Sequence, residues 1–418
     1  MSRPPPPERV RPAVTIDDIR AAAARIEGGI VRTPCPPSIP LSELTGCRVW
    51  CKLDLMQRTG SFKERGARNA LELLDAGARR RGVVAASAGN HALGLAWHGQ
   101  LLGIPVTVVM PRFAPLVKVA TCRRLGARVV LEGDSFEDAR ALAVEIAARD
   151  GLTRIHGFDD PHVIAGQGTM ALEILAEVPD AEVLVVPVGG GGLLAGVAVA
   201  AHALRPDIRI VAVEPAAGAS LSASLSAGRP VPVPLRPTLA DGLAVGKVGD
   251  VAFPLAAPHV DRVVSVDEDL LALAVLRLSE LEKTVVEGAG AAALAALLGD
   301  DLADLRGRRV VLLLCGGNID MATLGRVIDH GLAADGRLWR FTTRVTDRPG
   351  GIARLTAAIA AAGASVLEIT HDRTFAGPDV FSVVVAVTVQ TADRAHVAAL
   401  RDRLLAEAFP ILSGDGAR

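Results

Sequence analysis

Lys63 is the residue of this chain best placed for covalent chemistry. It lies in the small-residue segment Thr59-Gly60-Ser61-Phe62-Lys63-Glu64-Arg65-Gly66-Ala67, where Ser61 and Glu64 have the spacing of a capping box and apolar positions continue through Ala67, Ala70, Leu71 and Leu74. That pattern predicts a helix with Lys63 in its first turn. The positive end of a helix dipole disfavours an ammonium ion, so the free amine that attacks an aldehyde forms more readily there. An isolated lysine on a helix is ordinarily a solvated surface residue. The glycine run Gly189 to Gly192 and the segment Cys315-Gly316-Gly317-Asn318 alter that balance.

The glycine run admits two chemistries. Gly190-Gly191-Gly192-Leu193-Leu194-Ala195 satisfies the loose dinucleotide pattern G-x-G-x-x-A, with Glu214 at the end of the next strand where a ribose-binding acid would stand. Equally, glycines ahead of a helix present several backbone N–H groups at its positive end and can hold a single phosphate. A nicotinamide dehydrogenase has no use for a lysine loop and an Asn-His loop far upstream, whereas a pyridoxal-phosphate enzyme uses both.

The elements that must position these residues are short β-branched runs alternating with alanine- and leucine-rich helical patterns. Strands are expected at Val83 to Ala86, Val106 to Val109, Arg128 to Leu131, Val183 to Val188, Ile208 to Val213 and Arg309 to Leu314. Such alternation implies parallel sheets covered by helices on both faces, with ligands at the carboxyl ends of the strands. The segments Ser87-Ala88-Gly89-Asn90-His91, Gly189 to Leu193, and Cys315 to Asn318 each follow a predicted strand directly, as one shared cleft would require. Beyond about residue 330 the order becomes β-α-β-β-α with a short last strand, a ferredoxin-like module. Its strands are expected at Leu338 to Val345, Ser365 to Thr370 and Val380 to Val389. Its helices are expected over Ile352 to Ala362 and from a Thr391 cap to about Ala408.

Composition bounds the partners. The chain has 418 residues, is 50% hydrophobic and 22% charged, and can bury a large core divided over more than one domain. A net charge of -1 gives no electrostatic reason to expect nucleic acid or an anionic membrane. Val183 to Leu204 lacks charge, but Pro187 and the four glycines would break a spanning helix. Cys35, Cys47, Cys51, Cys122 and Cys315 are odd in number and lack paired metal-ligand spacing, which points to reduced thiols in the cytoplasm. Residues 1–14, with Pro4 to Pro7, read as a flexible tail without a signal-peptide core.

Together these segments resemble the threonine ammonia-lyase (threonine dehydratase) family of fold-type II pyridoxal-phosphate enzymes. The motifs are Ser61 to Ala67, Ser87 to Ala92, the glycine run, Thr238-Leu239-Ala240-Asp241-Gly242-Leu243-Ala244-Val245, and Cys315 to Asn318. The resemblance implies an α/β, tryptophan-synthase-β-like catalytic domain of two parallel-sheet lobes over 15–330, a linker at 331–337, and a ferredoxin-like ACT regulatory domain over 338–418. It implies that Lys63 binds the cofactor covalently and later removes the substrate's α-proton. Phe62 would lie beside the cofactor and Asn90 would hydrogen-bond its ring hydroxyl. The backbone of Ser87, Ala88, Gly89, Asn90 and His91 would hold the substrate carboxylate; the His91 side chain is read as a packing residue. Gly189, Gly190, Gly191, Gly192 and Leu193 would cradle the phosphate. Cys315 would face the pyridine nitrogen, where a neutral thiol, unlike aspartate, leaves that nitrogen unprotonated and favours prompt β-elimination over transamination.

Further implications concern ions, effectors and assembly. Glu214, with Gly218 and Ser220, would form a cation site whose few charged oxygens suit a monovalent ion, or no ion at all, rather than tightly bound magnesium or calcium. Glu287 matches a family glutamate near the active site, although a lone carboxylate at a helix start is as easily a cap. Asp347, Arg348, Pro349, Gly350, Gly351 and Ser365 would bind an effector, with isoleucine or valine as first candidates. Leu93 stands where glutamine is common in the family. Ala88 stands where serine racemases of this fold have a serine, and alanine cannot move a proton, so elimination should dominate. The implied activity is conversion of L-threonine to 2-oxobutanoate and ammonia in isoleucine biosynthesis, with side activity on L-serine, in a homotetramer or homodimer. Serine or 3-hydroxyaspartate ammonia-lyase, an NAD-dependent dehydrogenase and a non-catalytic amino-acid sensor are the alternatives.

Overall fold

A computed structural model describes residues 13–372 and 381–415, and the chain divides into two units. Among the described residues, 13–271 and 278–320 form one; 272–277, 321–372 and 381–415 form the other. Residues 1–12 of the expected tail lie outside the described residues. Val14 does not belong to a tail: it is buried in the core, and Thr15 caps the helix Ile16–Ile26 through a capping box with Asp18.

The first unit holds two sheets. The larger runs Pro37–Ser38, Arg48–Lys52, Arg309–Leu313, Val183–Pro187, Arg209–Pro215, Arg262–Val266 and is parallel except for its first pair. The smaller is parallel throughout, in the order Arg128–Leu131, Val106–Met110, Val83–Ala86, Thr153–Arg154. All six strands expected in this region form. Among the described residues four strands are additional: Pro37–Ser38 and Thr153–Arg154 are two residues each, and Arg48–Lys52 and Arg262–Val266 carry charge at one or both ends, so none stands out as a buried run.

Each sheet has a reversal of strand order, and ligand crevices form at such points. In the larger sheet the chain moves outward from Val183–Pro187 and later returns to pair on its other side, so the loops after Pro187 and Leu313 share a crevice. In the smaller sheet the same happens at Val83–Ala86, and the loops after Ala86 and Arg154 share one.

One helix ties these places together. Pro161–Glu177 starts with Asp160 accepting from the His162 and Val163 amides and Pro161 at its first position. It packs between the helices Lys63–Glu72 and Gly192–Leu204 at glycine contacts: a Cβ on Gly166 would lie 2.6 Å from the Arg65 carbonyl oxygen, and one on Gly196 2.4 Å from the Ile164 carbonyl oxygen. Removing side chains there lets backbones approach closely, so the lysine helix and the glycine-run helix are fixed against one rigid body.

The second unit is an antiparallel sheet in the order Ser365–Asp372, Ser382–Gln390, Leu338–Thr346, Ile411–Asp415, with the helices Gly351–Ala361 and Arg394–Ala406. Trp339, Phe341, Val345, Val383, Val385, Val387 and Val389 alternate inward beneath them. Val380 of the expected strand lies outside the described residues. Two expectations change. Residues 331–334 of the expected linker are the last turn of the helix Met321–Ala334, which belongs to this unit. Asp393, not Thr391, caps the final helix; the Thr391 hydroxyl donates to the Gly336 carbonyl at 2.7 Å instead. Among the described residues no helix is long and apolar enough to cross a membrane.

Candidate active site

The lysine loop is held by main-chain pairing with the segment after Leu313. Ser61 and Gly316 form an isolated antiparallel bridge, with the Phe62 amide donating to the Cys315 carbonyl at 2.9 Å and the Gly317 amide to the Gly60 carbonyl at 3.0 Å. This tertiary pairing displaces the expected capping box: the residue before the helix Lys63–Glu72 is Phe62, and no side chain caps it. One Glu64 oxygen accepts from the Thr59 amide, and the other lies 3.2 Å from His98 Nε2.

Lys63 therefore opens the helix. Its Nζ donates to the Gly157 carbonyl at 2.7 Å and sits 5.0 Å from the centre of the Phe62 ring. Burial lowers its pKa to about 8, against the opposing pull of Cys315 and Glu287. Desolvation is thus the largest cause of its shift toward the free amine.

Asn90 begins the helix Asn90–Leu102 behind Gly89, and no side chain caps this helix either. The Ser87 hydroxyl accepts from the Gly89 amide at 3.3 Å. Asn90 Nδ2 donates to Glu287 Oε1 at 2.7 Å, and its Oδ1 accepts from Asn318 Nδ2 at 2.9 Å. His91 is buried, with Nε2 3.4 Å from the Ile155 carbonyl; burial and then the Lys63 charge lower its pKa to about 3, so the ring is neutral at physiological pH.

Gly189 to Gly192 lead into the helix Gly192–Leu204, whose N-terminus also has no side-chain cap, so its first amides are available to a ligand. The glycines answer to packing as well. A Cβ on Gly190 would lie 2.2 Å from the Phe158 ring and one on Gly192 2.3 Å from the Phe158 carbonyl oxygen, while Gly191 has φ of 89°. Gly190→Ala is expected to cost about 1–3 kcal/mol in urea unfolding. Phe158→Ala should recover part of that cost in the double variant, a coupling measurable by a mutant cycle.

Cys315 is buried, and its thiol donates to the Leu313 carbonyl at 3.2 Å. Burial raises it well above the usual thiol range, so it stays protonated. Glu214 makes helix-capping bonds. Its carboxylate accepts from the Leu221 and Ser222 amides at 2.8 and 3.1 Å and from the Ser222 hydroxyl, which makes it the cap of the helix Ser220–Ala227. Among the described residues no cluster of three acidic, histidine or cysteine side chains could hold a metal.

In the other unit the turn Asp347 to Gly351 lines a cavity of about 270 Å³ with Thr346, His371 and Val383. Ser365 begins the next strand and is not part of that lining.

Sequence reasoning missed Gly157 and Phe158, which receive the lysine amine and press on the glycine run. The signal was the Asp160-Pro161 helix start, which marks the preceding residues as a strand-to-helix loop. It also missed the buried cluster of Lys52, Asp54, Arg65 and Glu173 beneath the lysine helix.

The chain matches the pyridoxal-phosphate dependent enzyme family over residues 26–316 and the ACT domain family over 339–405. It is 44% identical over 398 residues to an L-threonine ammonia-lyase of Thermotoga maritima, covering 95% of this chain and 99% of that one. Among solved structures it resembles maize serine racemase, with a TM-score of 0.73, 36% identity, and coverage of 75% of this chain and 96% of the other. It also resembles threonine deaminase isoform 2 of Solanum lycopersicum, with a TM-score of 0.72, 33% identity, and coverage of 79% and 99%. The uncapped glycine cradle and the desolvated amine fit a cofactor that carries both a phosphate and an aldehyde.

Proposed function

The chain belongs to the pyridoxal-phosphate dependent enzymes, and on that premise we propose that it is a threonine ammonia-lyase, converting L-threonine to 2-oxobutanoate and ammonia. The observation that carries this reading is the desolvated Lys63 amine, set between the Asn90 loop and the Cys315 strand end in a chain 44% identical to a threonine ammonia-lyase along nearly its whole length.

Lys63 would hold the cofactor and the Gly189 to Leu193 amides its phosphate, with Phe62 beside it and Asn90 at its ring hydroxyl. Bound pyridoxal phosphate supplies an electron sink for the pair left when the α-proton departs. Lys63 Nζ takes that proton, and the Gly157 carbonyl gives the amine a fixed resting place. The amides of Ser87 to His91 orient the substrate carboxylate, and Cys315, held neutral by burial, offers no charge at the ring nitrogen. The proton taken up by Lys63 Nζ returns to the β-hydroxyl, which leaves as water, and hydrolysis of the released enamine gives ammonia and the keto acid. Ala88 carries no group to return a proton from the opposite face, which favours elimination over racemisation although serine racemases share the fold.

The finer reading adds side activity on L-serine, a cytoplasmic homodimer or homotetramer, and control by isoleucine or valine at the Asp347 to Gly351 turn. One assay tests these points: keto-acid release from L-threonine, L-serine and 3-hydroxyaspartate, with and without isoleucine or valine. Threonine should give the highest kcat/KM, and an effector should shift its saturation curve. Faster turnover of serine or 3-hydroxyaspartate would replace the substrate assignment, and indifference to every amino acid would reduce the C-terminal module to a structural role.

A further inference from the structure

We propose that Glu287 and Asn318 are positioning residues that hold the Asn90 carboxamide in a single orientation at the candidate active site. The inference rests on the reading of Asn90 as a cofactor ligand.

Three distant segments meet in one hydrogen-bonded chain. Asn318 Nδ2 donates to the Thr59 carbonyl at 2.6 Å and to Asn90 Oδ1 at 2.9 Å, and Asn90 Nδ2 donates to Glu287 Oε1 at 2.7 Å. The polarity of this chain is forced. Turning the Asn90 amide over would set its NH2 against the NH2 of Asn318 and its oxygen against a carboxylate, neither of which can bond. What Asn90 then offers a bound group is defined: one remaining N–H and one remaining lone pair.

Glu287 stands directly before the helix Gly288–Leu298, yet its side chain makes no capping bond to that helix. Its carboxylate points at Asn90 instead. Space around the chain is closed, because a Cβ on Gly316 would lie 2.3 Å from Glu287 Oε1 and one on Gly60 2.4 Å from Asn318 Oδ1. The Glu287 amide is anchored on the Gly316 carbonyl at 3.1 Å. The amide cannot drift without breaking these contacts.

The carboxylate sits in a mixed field. Burial raises its pKa to about 7, Asp241 adds to the rise, and Lys118, Asn90 and the Asn318 backbone oppose it; Lys63 and Cys315 also face it. Ionised, Glu287 only accepts hydrogen bonds and admits one orientation of Asn90. Protonated, it can also donate to the Asn90 oxygen, so one of the two contacts that fix the amide no longer discriminates and Asn318 alone sets its orientation.

The test uses the cofactor-loaded full chain with Glu287→Ala, Glu287→Gln, Asn318→Ala and Asn90→Ala. It reads the visible absorption of the bound cofactor across pH, together with kcat and KM for threonine. The two variants that break the chain, Glu287→Ala and Asn318→Ala, should move the absorption band and lower kcat on the order of tenfold to a hundredfold, with KM little changed. The parent should show a spectral step near pH 7 as Glu287 titrates; glutamine still accepts from Asn90 Nδ2 but carries no titrating proton, so Glu287→Gln should keep the parental band and lack that step. If Asn90→Ala moves the band but Glu287→Ala and Asn318→Ala match the parent, positioning is wrong and the Asn90 reading stands. If Asn90→Ala is itself silent, both fall. Retention of the step in Glu287→Gln would remove Glu287 as its source and overturn the role of its charge.

Discussion

Lys63→Ala is expected to give a folded protein that releases no measurable 2-oxobutanoate. Loss of the proton-transfer group alone removes about 10²–10⁴-fold in rate, and loss of the covalent anchor adds to it. Initial rates with threonine and the visible absorption of dialysed protein measure both effects; a variant that keeps its colour and turnover would end the proposed function. The same residue sets a pH dependence. Its amine is drawn below the ordinary lysine range to about 8, so the unfolded chain binds a proton that the folded apoprotein lacks between about 8 and the ordinary value. Apoprotein stability should therefore rise with pH across that window. Below it the buried ammonium is a burden, and Lys63→Met apoprotein should unfold at higher urea than the parent at neutral pH.

Arg65→Met should be the most destabilising single change near the site, costing about 3–5 kcal/mol in urea unfolding, because it leaves the buried Asp54 carboxylate without its partner. Arg65 and Asp54 are both fully buried and paired through two bonds of 2.7 Å. The guanidinium also donates to Glu173 at 2.7 and 2.8 Å and to the Thr169 hydroxyl at 3.1 Å. Lys52 closes the cluster on Glu173 at 2.6 Å. Two cations thus face two anions, and removing Arg65 leaves an excess negative charge in the interior. Burial alone would raise the Asp54 pKa, but Arg65 together with Thr33 and Lys52 more than offsets it, and the carboxyl lies below its usual range. Asp54 therefore stabilises the parent above the ordinary aspartate pKa, and that contribution is lost as pH falls through the lower folded value. In the variant the raised carboxyls take up protons sooner, so its deficit should shrink on acidification. A deficit below about 1 kcal/mol at neutral pH would show that the cluster is not a unit. Since Arg65 lies two residues beyond Lys63, the same variant should also lower kcat.

Much of this was legible along the chain. Val83–Ala86 and Arg128–Leu131 form over the spans expected around their valine pairs, and the glycine run and Asn90 each stand at a strand-to-helix turn. These are local matters, governed by side-chain shape, turn chemistry and periodicity. The strand Arg48–Lys52 was not legible, because it exists through pairing with Arg309–Leu313, a partner remote in sequence. The expected linker failed for a related reason: Leu324, Val327 and Gly331 bury one face of Met321–Ala334, and burial extends that helix through residues that look like a break.

The sequence by itself determined which groups are present: one lysine in a small-residue loop, amides at uncapped helix starts, a thiol at a strand end, and a separate C-terminal module. Tertiary structure decided what those groups experience. Pairing with Gly316 overrode the Ser61 capping box, desolvation set the Lys63 amine, and helix capping occupied Glu214. Glu287 and Asn318 reached Asn90 only through folding. The reason is physical: propensity acts over a few neighbouring residues, whereas dielectric, hydrogen-bond competition and steric closure depend on whatever the fold brings within a few ångströms.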